Sequence, residues 1–165
     1  MAAKRPPALD RIDIKILAAL QRDGRSTNEK LAAAVALSPR ACLERVRRLE
    51  SAGIVIGYQA IIDLALLSKP VTVFAEITLE RLGSQQRFEQ GLNTIEELVE
   101  CWEVSGTFDY LARFVCADLA RYEVLTNRLA GDGKFGVARI VSLIALRPVR
   151  RFAGYPESLL SRKIE

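Results

Sequence analysis

Residues 26–53 read STNEKLAAAVALSPRACLERVRRLESAG, and this stretch decides how the N-terminal third of the chain folds. Its opening predicts the start of a helix, because Ser26 and Glu29 have the spacing of a capping box. Thr27, one residue later, is the alternative cap. The helix is expected to end by Leu37, since a second start signal follows at once.

That second signal is Ser38-Pro39, a capping residue followed by proline, which is favoured at the first position of a helix. Only a turn of a few residues separates the two helices, and so tight a restart is typical of a helix-turn-helix. We expect Gly24, just before this pair, to end a preceding helix in the left-handed conformation. That preceding helix is predicted from the three- and four-residue spacing of Leu9, Ile12, Ile16, Leu17 and Leu20.

The second helix of the pair has an apolar face, formed by Cys42, Val46 and Leu49, and an opposite face rich in arginine. Arginine suits a DNA-reading helix because its planar guanidinium can bind guanine O6 and N7 or clamp a phosphate. A solvated charged face is the alternative, but the caps and the three-helix context argue against it. The candidate DNA-binding residues are Ser26, Thr27, Asn28, Lys30, Ser38, Pro39, Arg40, Glu44, Arg45, Arg47 and Arg48.

The composition excludes several classes of protein. The 165 residues are 50% hydrophobic and 27% charged, as in a globular chain. No apolar run approaches the roughly 18 residues of a membrane span, and no signal peptide is evident. Three scattered cysteines indicate reduced thiols. We therefore expect a cytoplasmic protein without a membrane partner. Histidine is absent, which removes the commonest general base and the usual zinc ligands, so neither an enzyme nor a metal or cofactor site is expected.

The charge is unevenly distributed. Residues 1–58 hold 11 Lys/Arg against 6 Asp/Glu, a net charge of +5, whereas residues 59–165 hold 13 against 14, a net charge of −1. Such asymmetry is expected when one module binds a polyanion and the other does not.

Residues 9–63, LDRIDIKILAALQRDGRSTNEKLAAAVALSPRACLERVRRLESAGIVIGYQAIID, resemble the DNA-binding half of the leucine-responsive (Lrp/AsnC, feast/famine) transcriptional regulators. The resemblance rests on the Leu-Asp-x-x-Asp start, the Gly-Arg turn, the Leu-Ser-Pro restart, the Arg-Val-Arg-Arg-Leu-Glu run and the Gly-Ile-x-x-Gly-Tyr exit. It implies a sequence-specific DNA-binding regulator of transcription.

The second half of the chain has a different periodicity. Residues 54–63 are rich in β-branched side chains and predict a strand that links the halves, and Pro70 marks the boundary. From Val71 the apolar period is two, which predicts another strand. Helices capped by Ser84 and Asp118 alternate with further strands over residues 98–105, 108–116 and 137–146.

The order βαββαβ predicts an α+β chain whose second half is a ferredoxin-like sheet with both helices on one face. This half also resembles the effector-binding half of the same family. We therefore expect a winged helix-turn-helix domain over residues 1–58, a linking strand and hinge over 59–70, a ferredoxin-like effector-binding and oligomerisation domain over 71–149, and a tail over 150–165. One recognition helix reads few base pairs, so a homodimer is expected. The resemblance implies octamers of four dimers, and it implies an amino-acid effector that binds between dimers.

Residues 104–111, VSGTFDYL, resemble the Gly-x-x-Asp-Tyr turn that lines an amino-acid pocket in relatives. Gly106 would let backbone amides approach a carboxylate, and Asp109 could hold an ammonium group. The same residues could instead form only a hairpin turn. Relatives often have another polar or acidic residue in place of Thr107, which puts the selectivity in doubt. The candidate effector-binding residues are Ser105, Gly106, Thr107, Asp109, Tyr110, Gly136, Val137, Ala138 and Ser142.

Three other features favour structural roles. Trp102 is expected in core or interface packing, Tyr122 in the core, and Glu76 with Arg113 in a cross-strand ion pair. Two other functions stay open: a nucleoid-type architectural DNA-binding protein with little sequence preference, and a metabolic enzyme with an appended nucleic-acid arm. The absence of histidine argues against the enzyme.

Overall fold

The protein forms two compact units in a computed structural model that describes residues 8–80, 84–131 and 133–160. The first unit combines the described parts of 1–61 and 150–165, and the second spans 62–149. The elements in chain order are α1 (Arg11–Arg22), α2 (Asn28–Ala34), α3 (Pro39–Ser51), a 3-10 helix (Leu64–Leu66), β1 (Val71–Leu79), α4 (Ser84–Leu92), β2 (Leu98–Glu103), β3 (Tyr110–Cys116), α5 (Leu119–Gly131), β4 (Val137–Ile144) and α6 (Glu157–Leu160).

Helix α1 begins with a reciprocal cap between two aspartates. Asp10 accepts hydrogen bonds from the backbone N–H groups of Ile12 at 2.9 Å and Asp13 at 2.8 Å, and the Asp13 carboxylate accepts one from the N–H of Asp10 at 3.0 Å. Each carboxylate thus satisfies N–H groups that a helix start leaves free.

The prediction that Gly24 ends α1 in the left-handed conformation is wrong. The helix is closed instead by Asp23, which is extended (φ −145°) and whose N–H donates to the carbonyl of Ala19 at 3.0 Å. A Cβ at Gly24 would lie 3.3 Å from the ring of Tyr58, so the small size of the residue allows a close approach.

Helices α2 and α3 begin where the caps predict. Thr27, not Ser26, caps α2 by accepting from the N–H of Lys30 at 3.3 Å, and Ser38 caps α3 by accepting from the N–H of Ala41 at 3.3 Å. Between the helices Ala36 adopts a positive φ of 55°, which helps the chain to reverse within so few residues. The core of this unit consists of Ile16, Leu17, Leu31, Ala32, Val35, Cys42 and Leu49.

The prediction of a linking strand in residues 54–63, which overlaps the expected link over residues 59–70, is wrong. No strand pairs with this segment among the described residues, and Ile56 and Ile61 are 95% and 82% exposed. β-Branched composition is not enough, because a strand also needs a partner for its backbone N–H and C=O groups. The Leu64–Leu66 3-10 helix follows instead, and Asp63 caps it.

The tail is not a separate segment. Helix α6 packs against α1, where Leu160 adds to the core, and the N–H of Tyr155 donates to Gln21 Oε1. Apolar residues at its end explain why it docks on the helical unit. The last five tail residues, 161–165, lie outside the described part of the chain.

The second unit is a four-stranded antiparallel sheet in the order β2-β3-β1-β4. The alternation predicted for β1 is confirmed, since Val73, Ala75 and Ile77 are completely buried. They share one core with Phe88 of α4 and with three residues of α5, including Tyr122, so both helices cover the same face. This is the predicted ferredoxin-like arrangement.

The other face of the sheet departs from two predictions. Arg113 pairs with Glu100 at 2.9 Å rather than with Glu76, because the register places Arg113 opposite Phe74. Trp102 is 48% exposed, so it is not a core residue of the single chain.

Cys42 and Cys116 are buried thiols as expected, whereas Cys101 is only half-buried.

Candidate DNA-binding surface and effector site

Helix α3 presents an exposed polar face. The side chains of Arg40 and Glu44 are 91% and 67% exposed and form an ion pair of 3.3 Å, and Arg47 is exposed beside them. The opposite face is anchored by Cys42 and Leu49, which are completely buried. The geometry therefore leaves at least two arginine side chains of α3 accessible to a large polyanion.

The start of α2 adjoins the start of α3. The Asn28 side-chain Nδ2 donates to the backbone carbonyl of Pro39 at 2.7 Å, so one predicted DNA-binding residue holds another in place. Thr27 and Ser38 use their hydroxyl groups as caps, and Lys30 is exposed. Ser26 is half-buried.

Arg45 and Arg48 have partners within the chain. Arg45 Nη1 bonds to Asp10 Oδ2 at 2.7 Å and to Asp13 Oδ1 at 2.9 Å, and Arg48 Nη2 bonds to Asp13 Oδ2 at 2.6 Å. The Asp13 side chain is completely buried. A hydrogen bond from the N–H of Asp13, and then the Arg45 guanidinium, lower the pKa of Asp10 to about 2.

Sequence reasoning did not find this four-residue cluster. The Leu-Asp-x-x-Asp start is a recognisable motif, but its carboxylates lie more than thirty residues from the arginines that they bind. A signal did exist, because two acids on the first helix and arginines beside the apolar stripe of the third can meet once the helices pack.

Several candidate effector residues lie around the end of β1, whereas Ser142 pairs with Ala75 in the middle of that strand. Asp109 Oδ2 accepts from the N–H of Leu79 at 2.7 Å, and the N–H of Asp109 donates to the carbonyl of Ile77 at 2.9 Å. On the other side, the carbonyl of Gly136 accepts from the N–H of Glu80 at 2.8 Å. The turns before β3 and β4 are therefore both attached to the same strand end.

The remaining candidates differ in exposure. Residues 105–107 are exposed, and Gly106 adopts a φ of +147° that side chains rarely tolerate. The hydroxyl of Tyr110 donates to Glu89 at 2.8 Å, and burial together with that carboxylate raises the Tyr110 pKa. Ser142 lies 2.7 Å from the hydroxyl of Tyr122. Val137 is buried and Ala138 is exposed.

A cavity of about 360 Å³ lies elsewhere in the second unit, between α5 and residues 94–97. None of the predicted effector-binding residues lines it. Its polar wall includes an ion pair between Arg121 and Glu97, and Arg128 lies over the ring of Phe135 at 5.9 Å. No motif in the sequence pointed to this cavity.

Comparisons with known proteins match both units. Residues 9–56 match the winged helix-turn-helix DNA-binding family model, and residues 72–154 match the Lrp/AsnC ligand binding domain. The chain is 48% identical over 128 residues to the leucine-responsive regulatory protein of Haemophilus influenzae, covering 76% of each chain. It is 48% identical over 126 residues to the same-named protein of Escherichia coli K12, covering 74% of this chain and 76% of the relative.

Solved structures have the same fold. A transcriptional regulator from Neisseria meningitidis, determined as a complex with L-Met, superposes with a TM-score of 0.82 at 29% identity, covering 92% of this chain and 99% of that chain. An AsnC family transcriptional regulator from Agrobacterium tumefaciens has a TM-score of 0.83 at 28% identity, with the same coverage. Within the described ranges, no helix has the length and apolar character to cross a membrane.

The helix-turn-helix with its exposed arginines, and the attached sheet domain, define a DNA-binding transcriptional regulator that carries a ligand-binding domain. The chain belongs to the Lrp/AsnC family, whose members are regulators and not enzymes. The family resemblance and the α+β fold expected from the sequence are thereby confirmed.

Proposed function

We propose that the protein binds specific operator sequences in double-stranded DNA, and that an amino acid modulates this binding or the assembly of the protein. The observation that carries the proposal is the exposed arginine face of α3, which a buried apolar face holds rigidly. The net charge of +5 in residues 1–58 supports a polyanionic partner for this half.

The proposed DNA surface comprises the start of α2 and the exposed side of α3. Arg40 and Arg47 are the candidates for base contacts, because they are exposed and lie about two turns apart on the same face. The candidates for contacts with the sugar-phosphate backbone of DNA lie around these arginines: Ser26, Thr27, Asn28, Lys30, Ser38 and Pro39.

The proposed effector site lies around the end of β1 and comprises Ser105, Gly106, Thr107, Asp109, Tyr110, Gly136, Val137 and Ala138. Ser142, which pairs with Ala75 in the middle of β1, is a further candidate. Two features support this site: the turns before β3 and β4 both attach to the end of β1, and residues 105–107 are exposed. The L-Met in the Neisseria meningitidis neighbour makes an amino acid the first class of ligand to test. No cofactor enters the proposal.

We further propose a homodimer, and an octamer of four dimers. The uncovered face of the sheet supports an interface between copies, since Trp102 and Leu143 are 48% and 50% exposed there. Trp102 lies beside Leu111, and Leu143 lies beside Phe74 in the neighbouring row. Exposed apolar side chains on one face of a sheet favour a protein partner. A cytoplasmic location remains a prediction.

Two measurements test the proposed function. DNA binding to the protein's own upstream region and to random DNA, at one stated salt concentration, should show a clear preference for the former. Equal affinities would favour the architectural DNA-binding protein instead. A thermal-shift screen of the twenty amino acids should reveal at least one that raises the unfolding midpoint, because a ligand that binds only the native state stabilises it.

A further inference from the structure

Arg45 and Arg48 of α3 both bind carboxylates at the start of α1, but their surroundings differ. We propose that they have different roles in DNA binding. In this proposal Arg48 is a phosphate ligand that Asp13 holds in place, and Arg45 is a positioning residue that does not contact DNA. The inference rests on the proposed operator binding and deepens it, because it assigns different roles to neighbouring cations of one helix.

Arg45 is already neutralised. Its Nη1 bonds to carboxylates of both Asp10 and Asp13, at 2.7 and 2.9 Å, and its side chain is 27% exposed. To reach a phosphate, the guanidinium would have to break two charge-assisted hydrogen bonds and leave the buried Asp13 with one partner fewer. Its contacts instead join α3 to the start of α1.

Arg48 has a different environment. A single nitrogen, Nη2, bonds to Asp13 at 2.6 Å, and the side chain is 48% exposed. A guanidinium has five N–H donors, so one bond to Asp13 leaves the others available for a phosphate. At 3.6 residues per turn, Arg48 lies about 40° around the helix from Glu44 on the exposed face, whereas Arg45 lies about 100° away.

The anchor itself is rigid. The Asp13 side chain is completely buried, belongs to the helix cap and accepts the N–H of Asp10 at 3.0 Å as well as both arginines. A guanidinium held by such a group loses less side-chain freedom on binding than a free arginine does. Asp13 therefore acts through Arg48 as a positioning residue for the DNA contact.

The salt dependence of DNA binding separates the two roles. The full-length variants Arg48→Ala and Arg45→Ala are compared with the wild type on the upstream region and on random DNA over a range of salt. Arg48→Ala should reduce the slope of log affinity against log salt by about 0.9 on both DNAs. Arg45→Ala should leave that slope unchanged while it lowers the thermal midpoint, because its contacts are internal. An equal loss of slope in both variants, or an unchanged slope in Arg48→Ala, overturns the proposal.

A double-mutant cycle tests the anchor. If Asp13 acts through Arg48, Asp13→Asn weakens DNA binding in the wild-type background but hardly at all in the Arg48→Ala background. Additive effects in the folded variants overturn the positioning role. If Asp13→Asn does not fold, the comparison of slopes still decides the division of roles. Equal affinity of the wild type for both DNAs would refute specific operator binding. It would leave the roles of Arg45 and Arg48 standing, because phosphate contacts do not depend on sequence.

Discussion

The carboxylate of Asp109 accepts a hydrogen bond from the backbone N–H of Leu79 at 2.7 Å, and this bond joins the turn before β3 to the last residue of β1. The residue proposed to hold the ammonium group of an effector therefore also supports the fold of the free protein. Substitutions at this position affect ligand binding and stability together unless they are chosen to separate them.

Asp109→Asn makes that separation. Asparagine keeps an oxygen that can accept from Leu79, so the thermal midpoint should stay near that of the wild type while the response to the effector found by the screen is lost with the charge. Asp109→Ala should lose the response and also about 1 kcal/mol of stability. Isothermal titration and thermal melts of both variants measure this. A full response in Asp109→Asn would show that Asp109 has only the structural role.

Replacing Arg40 or Arg47 by alanine should weaken binding to the operator. If the arginine contacts a base, the loss is about 1–3 kcal/mol and discrimination between sequences falls; if it contacts phosphate, the salt slope falls by about one. Lys15→Ala, which removes an exposed cation of α1, is the control. Gel-shift titrations in which both arginine variants bind like the wild type would refute the assignment of α3 as the recognition helix.

Acid should destabilise the protein partly through Asp10. Its folded pKa of about 2 lies below the ordinary value of 3.8, so its contribution is complete above about pH 4 and is lost as the pH falls towards 2. In Asp10→Asn the cap is retained, because Oδ1 accepts both helix N–H groups whereas Oδ2 binds Arg45. Urea denaturation from pH 5 to pH 2 should show a shallower decline for the variant, and parallel declines would contradict this prediction.

Gly136 and Gly133 form a matched pair. Both have positive φ, +62° and +59°, so alanine costs roughly 1–2 kcal/mol of backbone strain at either position. A Cβ at Gly136 would also lie 2.6 Å from Ser84 Cβ and Oγ, whereas none of the described atoms lies within 4 Å at Gly133. Gly136→Ala should therefore lose more stability in denaturant melts. Equal losses would mean that Ser84 moves aside at no cost.

A charged substitution on the uncovered face of the sheet tests whether that face forms the proposed dimer interface. Trp102→Glu should weaken the proposed dimer, because a carboxylate would be buried between copies. Leu119→Glu on α5 is the matched control, since Leu119 is 49% exposed and Trp102 is 48% exposed. Light scattering over a range of concentrations should show smaller particles for Trp102→Glu alone. Identical masses for both variants would place the interface elsewhere.

Local patterns were read correctly from the sequence. Caps such as Thr27 and Ser38, and the alternation through Val73 and Ala75, depend on residues close in the chain, so the helix starts and the central strand could be predicted. Features that need a distant partner could not. The ion pair of Arg113 depends on strand register, and residues 54–63 lack the partner strand that their composition suggested.

The same limit applies to the candidate sites. The spacing predicts the arginine-rich face of α3, but the partners of Arg45 and Arg48 depend on how α1 packs, and spacing alone does not say which acids and arginines pair. The Gly-x-x-Asp-Tyr turn was located from its motif, whereas the bond from Leu79 to Asp109 needs the end of β1 beside it.

Ile56 and Ile61, which are almost wholly exposed in the single chain, bear on how the protein is handled. Partly folded chains that expose such apolar residues tend to associate, which makes this segment an aggregation hazard. Because aggregation rises with protein concentration, refolding at high dilution should lose less material to precipitation than refolding at high concentration.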